Sequence, residues 1–116
     1  MLKLPRRLIN PKNFVITINQ IAKFLKIDPK RIIRYEKWPH VLWVHIKNYG
    51  GLFISYRKLE QWISACRILL QRTQTLEELT TLWKAIKKEA KRYTIEGINR
   101  LTVIWQNQKA KLESRK

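Results

Sequence analysis

A chain of 116 residues carrying 25 Lys+Arg against 8 Asp+Glu has a formal charge of +17, and five Trp residues and a 45% hydrophobic fraction argue against global disorder. Such a field gathers and steers polyanions, so nucleic acid is the first partner to expect and an anionic membrane surface the second. No segment approaches the roughly 20 apolar residues of a membrane span. The opening MLKLPRRLINPKN, broken by prolines and charges, lacks a secretion-signal core, and a cytoplasmic location is expected.

Residues 1–13 form a basic leader with two prolines, Pro5 and Pro11, and four charges, Lys3, Arg6, Arg7 and Lys12. It is expected to be extended or loosely ordered, either an arm that follows a DNA groove or a plain flexible terminus. Phe14-Val15-Ile16 is a short apolar run and a candidate strand. Thr17 followed by Gln20 is a capping box, and Ile18, Ile21, Phe24 and Leu25 give the helix it opens one apolar face. Lys26-Ile27 should be a turn. Asp28 then suits an N-cap and Pro29 the first helical position, which predicts a second helix over residues 29–37. On that helix Lys30, Arg31, Arg34 and Lys37 share an arc of about 120°, with Ile32 and Ile33 opposite. Two capped helices around a tight turn, the second of them cationic, predict a helix-turn-helix. The alternative is a surface helix that solvates its charges.

Pro39 ends that element. In HVLWVHI, residues 40–46, Leu42, Val44 and Ile46 alternate with Val41, Trp43 and His45, and Asn48-Tyr49-Gly50-Gly51 is turn chemistry before Leu52-Phe53-Ile54. The expected β-hairpin would be a wing with His45 and Lys47 near its tip, facing phosphates or simply solvent. Ser55 is placed to cap a third helix through Leu59, Trp62, Ile63, Cys66 and Leu70. Thr75 with Glu78 is a second capping box, and the helix that follows carries Leu79, Leu82, Trp83 and Ile86 on one stripe. Its later turns carry Lys84, Lys87, Lys88, Lys91 and Arg92, a solvated face or a phosphate-contacting one. Thr94 can cap a last helix, in which Ile98, Leu101, Trp105 and Leu112 follow a 3-4 spacing. A helix of this length must pack back or pair with a second copy, and homodimerisation is the expectation. Cys66, the single cysteine, falls in an apolar pattern and should be a buried thiol. His40 and His45 have no further ligands nearby, so neither a metal nor another cofactor is expected.

The order of these elements resembles the MerR family of transcription regulators. The segments that carry the resemblance are Ile16 to Lys23, Ile32 to Glu36, Gly50 to Leu59, and Thr75 to Leu79. The pattern departs from the family at Ile33, where an arginine is usual, at Gly51-Leu52 in the wing, and at Lys26, where glycine is favoured. The 116 residues hold no cysteine cluster, and an effector-binding region of the kind the family's activators carry is not expected. In size and layout it is similar to the short MerR-type repressors carried beside type V-K CRISPR-associated transposons. The resemblance implies a mainly α fold with a small β-hairpin: a winged helix-turn-helix over residues 14–93, and a dimerisation helix over residues 94–116.

The function to expect is therefore a sequence-specific DNA-binding transcriptional regulator, a homodimeric repressor that occludes a promoter containing an inverted repeat, with no small-molecule effector. Arg34 is the candidate for reading a base, because a guanidinium makes paired hydrogen bonds to guanine. Lys30, Arg31 and Lys37 would mainly hold phosphates or extend the readout, Tyr35 and Trp38 would lock the helix against the wing or touch the backbone, and Asn19 and Gln20 would donate to a phosphate at the first helix. An excisionase-like architectural DNA-bending factor and an RNA-binding subunit are the alternatives. An enzyme is not expected, since no paired carboxylates, activated nucleophile or metal cluster appears.

Overall fold

The first helix starts as its capping box requires. The Thr17 hydroxyl accepts from the Gln20 N–H and the Gln20 side chain accepts from the Thr17 N–H, both at 3.1 Å. The structure, a computed structural model, describes residues 9–115. Helix α1 spans Ile18–Leu25 and buries Ile21 and Ala22. It stops at Lys26, which takes the left-handed conformation at φ +60°, and the Ile27 N–H closes back on the Ala22 carbonyl at 3.0 Å.

The helix expected over residues 29–37 does not form. Asp28 does cap, its carboxylate accepting from the Lys30 N–H at 2.9 Å, but the turn it opens is a single 3-10 turn, Pro29–Arg31. The chain then enters strand β1, Ile32–Lys37. Strand β2 is Val41–Ile46 and β3 is Gly50–Ser55, in a three-stranded antiparallel sheet of order β1-β2-β3. Two physical reasons favour the strand. Ile32, Ile33 and Tyr35 are residue types that fit a pleated surface, and a nine-residue helix has little propensity to set against a full ladder of partners on β2. The ladder pairs Ile32 with Ile46 and Arg34 with His45, which leaves Ile33 over as a bulge. That extra residue breaks the period-2 alternation and makes Ile32-Ile33 look like one side of a helix. The β2–β3 hairpin forms where the turn chemistry places it, with Asn48 at φ +62°.

One face of the sheet is closed. Ile32, Leu42, Val44, Ile46 and Ile54 are buried there in one core with Ile21 and Ala22 of α1. Of the basic leader, residues 1–8 lie outside the described residues. Residues 9–13 are ordered by packing: Ile9 and Pro11 are buried, and Pro11–Asn13 makes a 3-10 turn capped by Asn10. Residues 14–16 have no strand partner. Instead their three carbonyls accept from side chains in turn, Lys37 Nζ on Phe14 at 2.9 Å, Gln61 Nε2 on Val15 at 2.9 Å and the Tyr35 hydroxyl on Ile16 at 2.6 Å. Backbone acceptors that a sheet would pair are satisfied by side chains.

The rest of the chain is helical, and the described residues as a whole are mainly α with this one small sheet. Ser55 caps the 3-10 turn Tyr56–Lys58 rather than a long helix, and α2 begins after it, Glu60–Gln71. Helix α3 is Leu76–Lys88, capped by Thr75, and α4 is Ile95–Glu113, capped by Thr94. Helix α4 packs against both α2 and α3. The approach to α2 is close: a Cβ on Gly97 would meet Ile63 Cδ1 at 2.8 Å, so a larger residue would require the end of the Ile63 side chain to shift.

The side chains expected to pair two copies pack within one chain, Leu101 and Leu112 fully and Ile98 and Trp105 in part. Leu101 and Leu112 are buried, Ile98 and Trp105 pack against the same core, and the Trp105 ring stacks on Trp83 at 5.1 Å with 6° between planes. Gln108, which interrupts the apolar spacing, is buried as well, and its amide donates to the Thr73 carbonyl at 2.9 Å. A polar residue in the stripe is thus the partner of a loop carbonyl, which fixes α4 against the α2–α3 turn. Among the described residues no helix is long and apolar enough to cross a membrane.

Candidate nucleic-acid interface

The open face of the sheet is set by register. Arg34 pairs with His45, Glu36 with Trp43, Trp43 with Phe53, and His45 with Gly51, and all of these point away from the buried face. Trp38 follows β1 and turns the chain toward β2, its N–H donating to the Val41 carbonyl at 3.0 Å. Its indole joins the same surface. The Trp38 and Trp43 rings lie 6.4 Å apart and within 10° of parallel, and Phe53 sits 5.1 Å from Trp38. Phe53 is 55% exposed and Trp38 40%.

Gly51 allows this arrangement. A Cβ there would meet Trp43 Nε1 at 2.7 Å, so only a glycine lets the Trp43 ring lie across the strand. Arg34 sits over the Trp43 ring at 5.2 Å and His45 beside it at 5.8 Å. The Tyr56 hydroxyl, buried beneath, donates to the Trp38 carbonyl at 2.5 Å and anchors the backbone that carries the outer indole.

Cations gather at one end of this face. The Lys47 N–H donates to the Arg31 carbonyl at 2.7 Å, which ties the end of β2 to the 3-10 turn and brings Lys30, Arg31 and Lys47 together, all exposed. Arg34 and His45 continue the cluster onto the sheet. Glu36 is the acid among them, with Arg34 at 3.6 Å and the Trp38 indole N–H at 3.0 Å holding its carboxylate.

No family model, curated protein or solved structure matches the chain. Of the positions expected to touch DNA, Lys30, Arg31, Arg34, His45 and Lys47 share the sheet and its cationic end. The other four do not. Lys37 is exposed but on the opposite side of the sheet, its ammonium bound to the Lys12 and Phe14 carbonyls at 3.2 and 2.9 Å. Tyr35 is on the packed side with its hydroxyl on Ile16. The Gln20 side chain is used by the capping box and by Gln61 at 2.8 Å. Asn19 is exposed, but on α1, which packs on the closed side of the sheet.

Trp43 and Phe53 are the residues that the sequence reasoning missed. The signal was present: Trp43 falls opposite Leu42 and Val44 in the alternation, and the hairpin register then puts Phe53 beside it.

Titration elsewhere is structural. Burial pushes the Cys66 thiol up to about 11, and it raises Tyr93, whose hydroxyl accepts from Trp62 at 2.8 Å. Cys66 is thus protonated and buried at neutral pH, as its place in the sequence pattern led us to expect. The described residues contain no group of His, Cys, Asp and Glu that could hold a metal.

Proposed function

We propose that the protein is a nucleic-acid-binding regulator that acts by occupancy, with the open face of its three-stranded sheet as the contact surface. The observation that carries this reading is the juxtaposition on one face of exposed aromatic rings with Lys30, Arg31, Arg34 and Lys47, in a chain of charge +17. A large exposed apolar patch in a small domain marks a binding surface. Adjacent cations select a polyanion to fill it.

The resemblance to MerR regulators supports nucleic acid as the ligand, but a helix that reads base edges in a groove drops out, because residues 32–37 are a strand. Arg34 accordingly changes role. It is held between Trp43 and Glu36, and its guanidinium serves a phosphate or a ring beside the aromatic cluster.

The test is equilibrium binding titrated with salt. Affinity falls steeply as salt rises, and Arg31→Ala and Lys47→Ala each weaken binding across all sequences and flatten the salt slope by about 1. Binding that ignored these variants but vanished with Lys87→Ala or Lys88→Ala on α3 would move the interface to the helical end.

A further inference from the structure

Phosphate contacts alone leave the rings of the sheet without a task. We infer that this face takes unpaired bases, with Phe53 and Trp38 as the stacking rings and Trp43 as the brace that orients them, so that the ligand is single-stranded nucleic acid. The inference rests on the sheet being the nucleic-acid surface and names what that surface accepts.

Three observations carry it. First, the Phe53 side chain has no donor or acceptor, yet it is 55% exposed, on the edge strand β3 beside Trp43. A ring without polar atoms cannot read a base edge; what it offers is its π-face, and only an unpaired, unstacked base has a face to lay on it. Secondly, the rings are held as a set. Trp43 is fixed by the space above Gly51 and by Arg34, and Trp38 by the Tyr56 anchor, so a stacked base meets a surface that loses little freedom on binding. Thirdly, the charge is complementary and correctly placed. Lys47 lies four residues on from Trp43, just past the end of β2, about 13 Å at strand spacing. A strand whose bases lie on the rings thus runs its phosphates toward the cationic end. Duplex DNA would present stacked, paired bases to this flat surface and leave both rings uncovered.

The experiment uses the full chain with fluorescently labelled oligothymidylate, oligouridylate and a mixed-sequence duplex of about twelve nucleotides, at one fixed salt concentration. The single strands bind at least about tenfold more tightly than the duplex, a difference of about 1.4 kcal/mol. Phe53→Ala and Trp38→Ala each weaken single-strand binding by roughly 5- to 150-fold and leave duplex binding unchanged. Phe53→Tyr retains the affinity, whereas Phe53→Leu, which keeps apolar area and removes the π-face, loses it. Preference for thymidylate or uridylate distinguishes DNA from RNA as the source, and either order supports base stacking. Circular dichroism of each variant verifies folding, and Phe53 is exposed enough for its variants to fold. Equal or tighter binding of the duplex, with Phe53→Ala inert, would overturn the stacking inference while the nucleic-acid reading stood. Failure to bind any of the three ligands would overturn both.

Discussion

The protein uses tryptophan in two ways, and the contrast between its helical end and its sheet shows which rings hold the fold. At the helical end Trp83 and Trp105 stack between α3 and α4, with Lys87 over the Trp83 ring and Lys109 over the Trp105 ring, and Trp62 is buried against Tyr93 and covered by the Arg57 guanidinium. These rings close gaps between elements. On the sheet Trp38, Trp43 and Phe53 also touch one another, with Arg34 over Trp43, yet Trp38 and Phe53 stay exposed and among the described residues no second element packs across them. The same ring chemistry glues helices in one place and makes an open surface in the other. What separates the two is whether a second element packs across the face, and among the described residues the sheet has such an element, α1 with the segment before it, on one side only.

That contrast can be broken by substitution. The largest effect is expected at Leu101, fully buried between α4 and its neighbours: Leu101→Ala costs about 2–5 kcal/mol in urea unfolding, by transfer and cavity terms together. Gln108→Ala comes next, because it strips the Thr73 carbonyl of its donor in a buried site, and costs about 1–3 kcal/mol by the same measurement.

The Glu60–Arg100 pair joins α2 to α4 through two bonds of 2.7 and 2.8 Å but is largely exposed, so a double-mutant cycle should return no more than about 1 kcal/mol. Its pH dependence has a definite sign. The hydrogen bond from Arg100 holds the Glu60 carboxyl below its ordinary value of 4.5, so the contribution is present above that value and fades as pH falls through the lowered one. Smallest of all is Phe53→Ala. It should change stability by less than about 0.5 kcal/mol, as an exposed surface substitution does. A loss as large as that of Leu101→Ala would mean that the sheet rings are structural after all, and the contrast would disappear.

Much of the fold was legible in the sequence because it is written in local chemistry. The Thr17, Thr75 and Thr94 caps all form, the hairpin falls where Asn48 and the glycines put it, and Leu42, Val44 and Ile46 are the buried side of β2. Residues 29–37 misled for a stated reason. Their cap and proline are real start signals, but whether a helix or strand follows was decided by the ladder on β2, and the Ile33 bulge hid the strand period. The fate of α4 was equally non-local: Gln108 looks like a flaw in a dimer seam until Thr73 is seen beside it. For the candidate site, the basic residues stand out in the sequence, whereas the aromatic set depends on register and on the room above Gly51.

The most direct test of the central claim reads all five Trp residues at once. Indole N–H resonances followed by NMR during titration with a single-stranded oligonucleotide should move for Trp38 and Trp43 and stay in place for Trp62, Trp83 and Trp105. Movement of Trp83 and Trp105 with Trp38 and Trp43 unchanged would place the ligand on the lysines of α3 and contradict the assignment of the sheet as the binding surface.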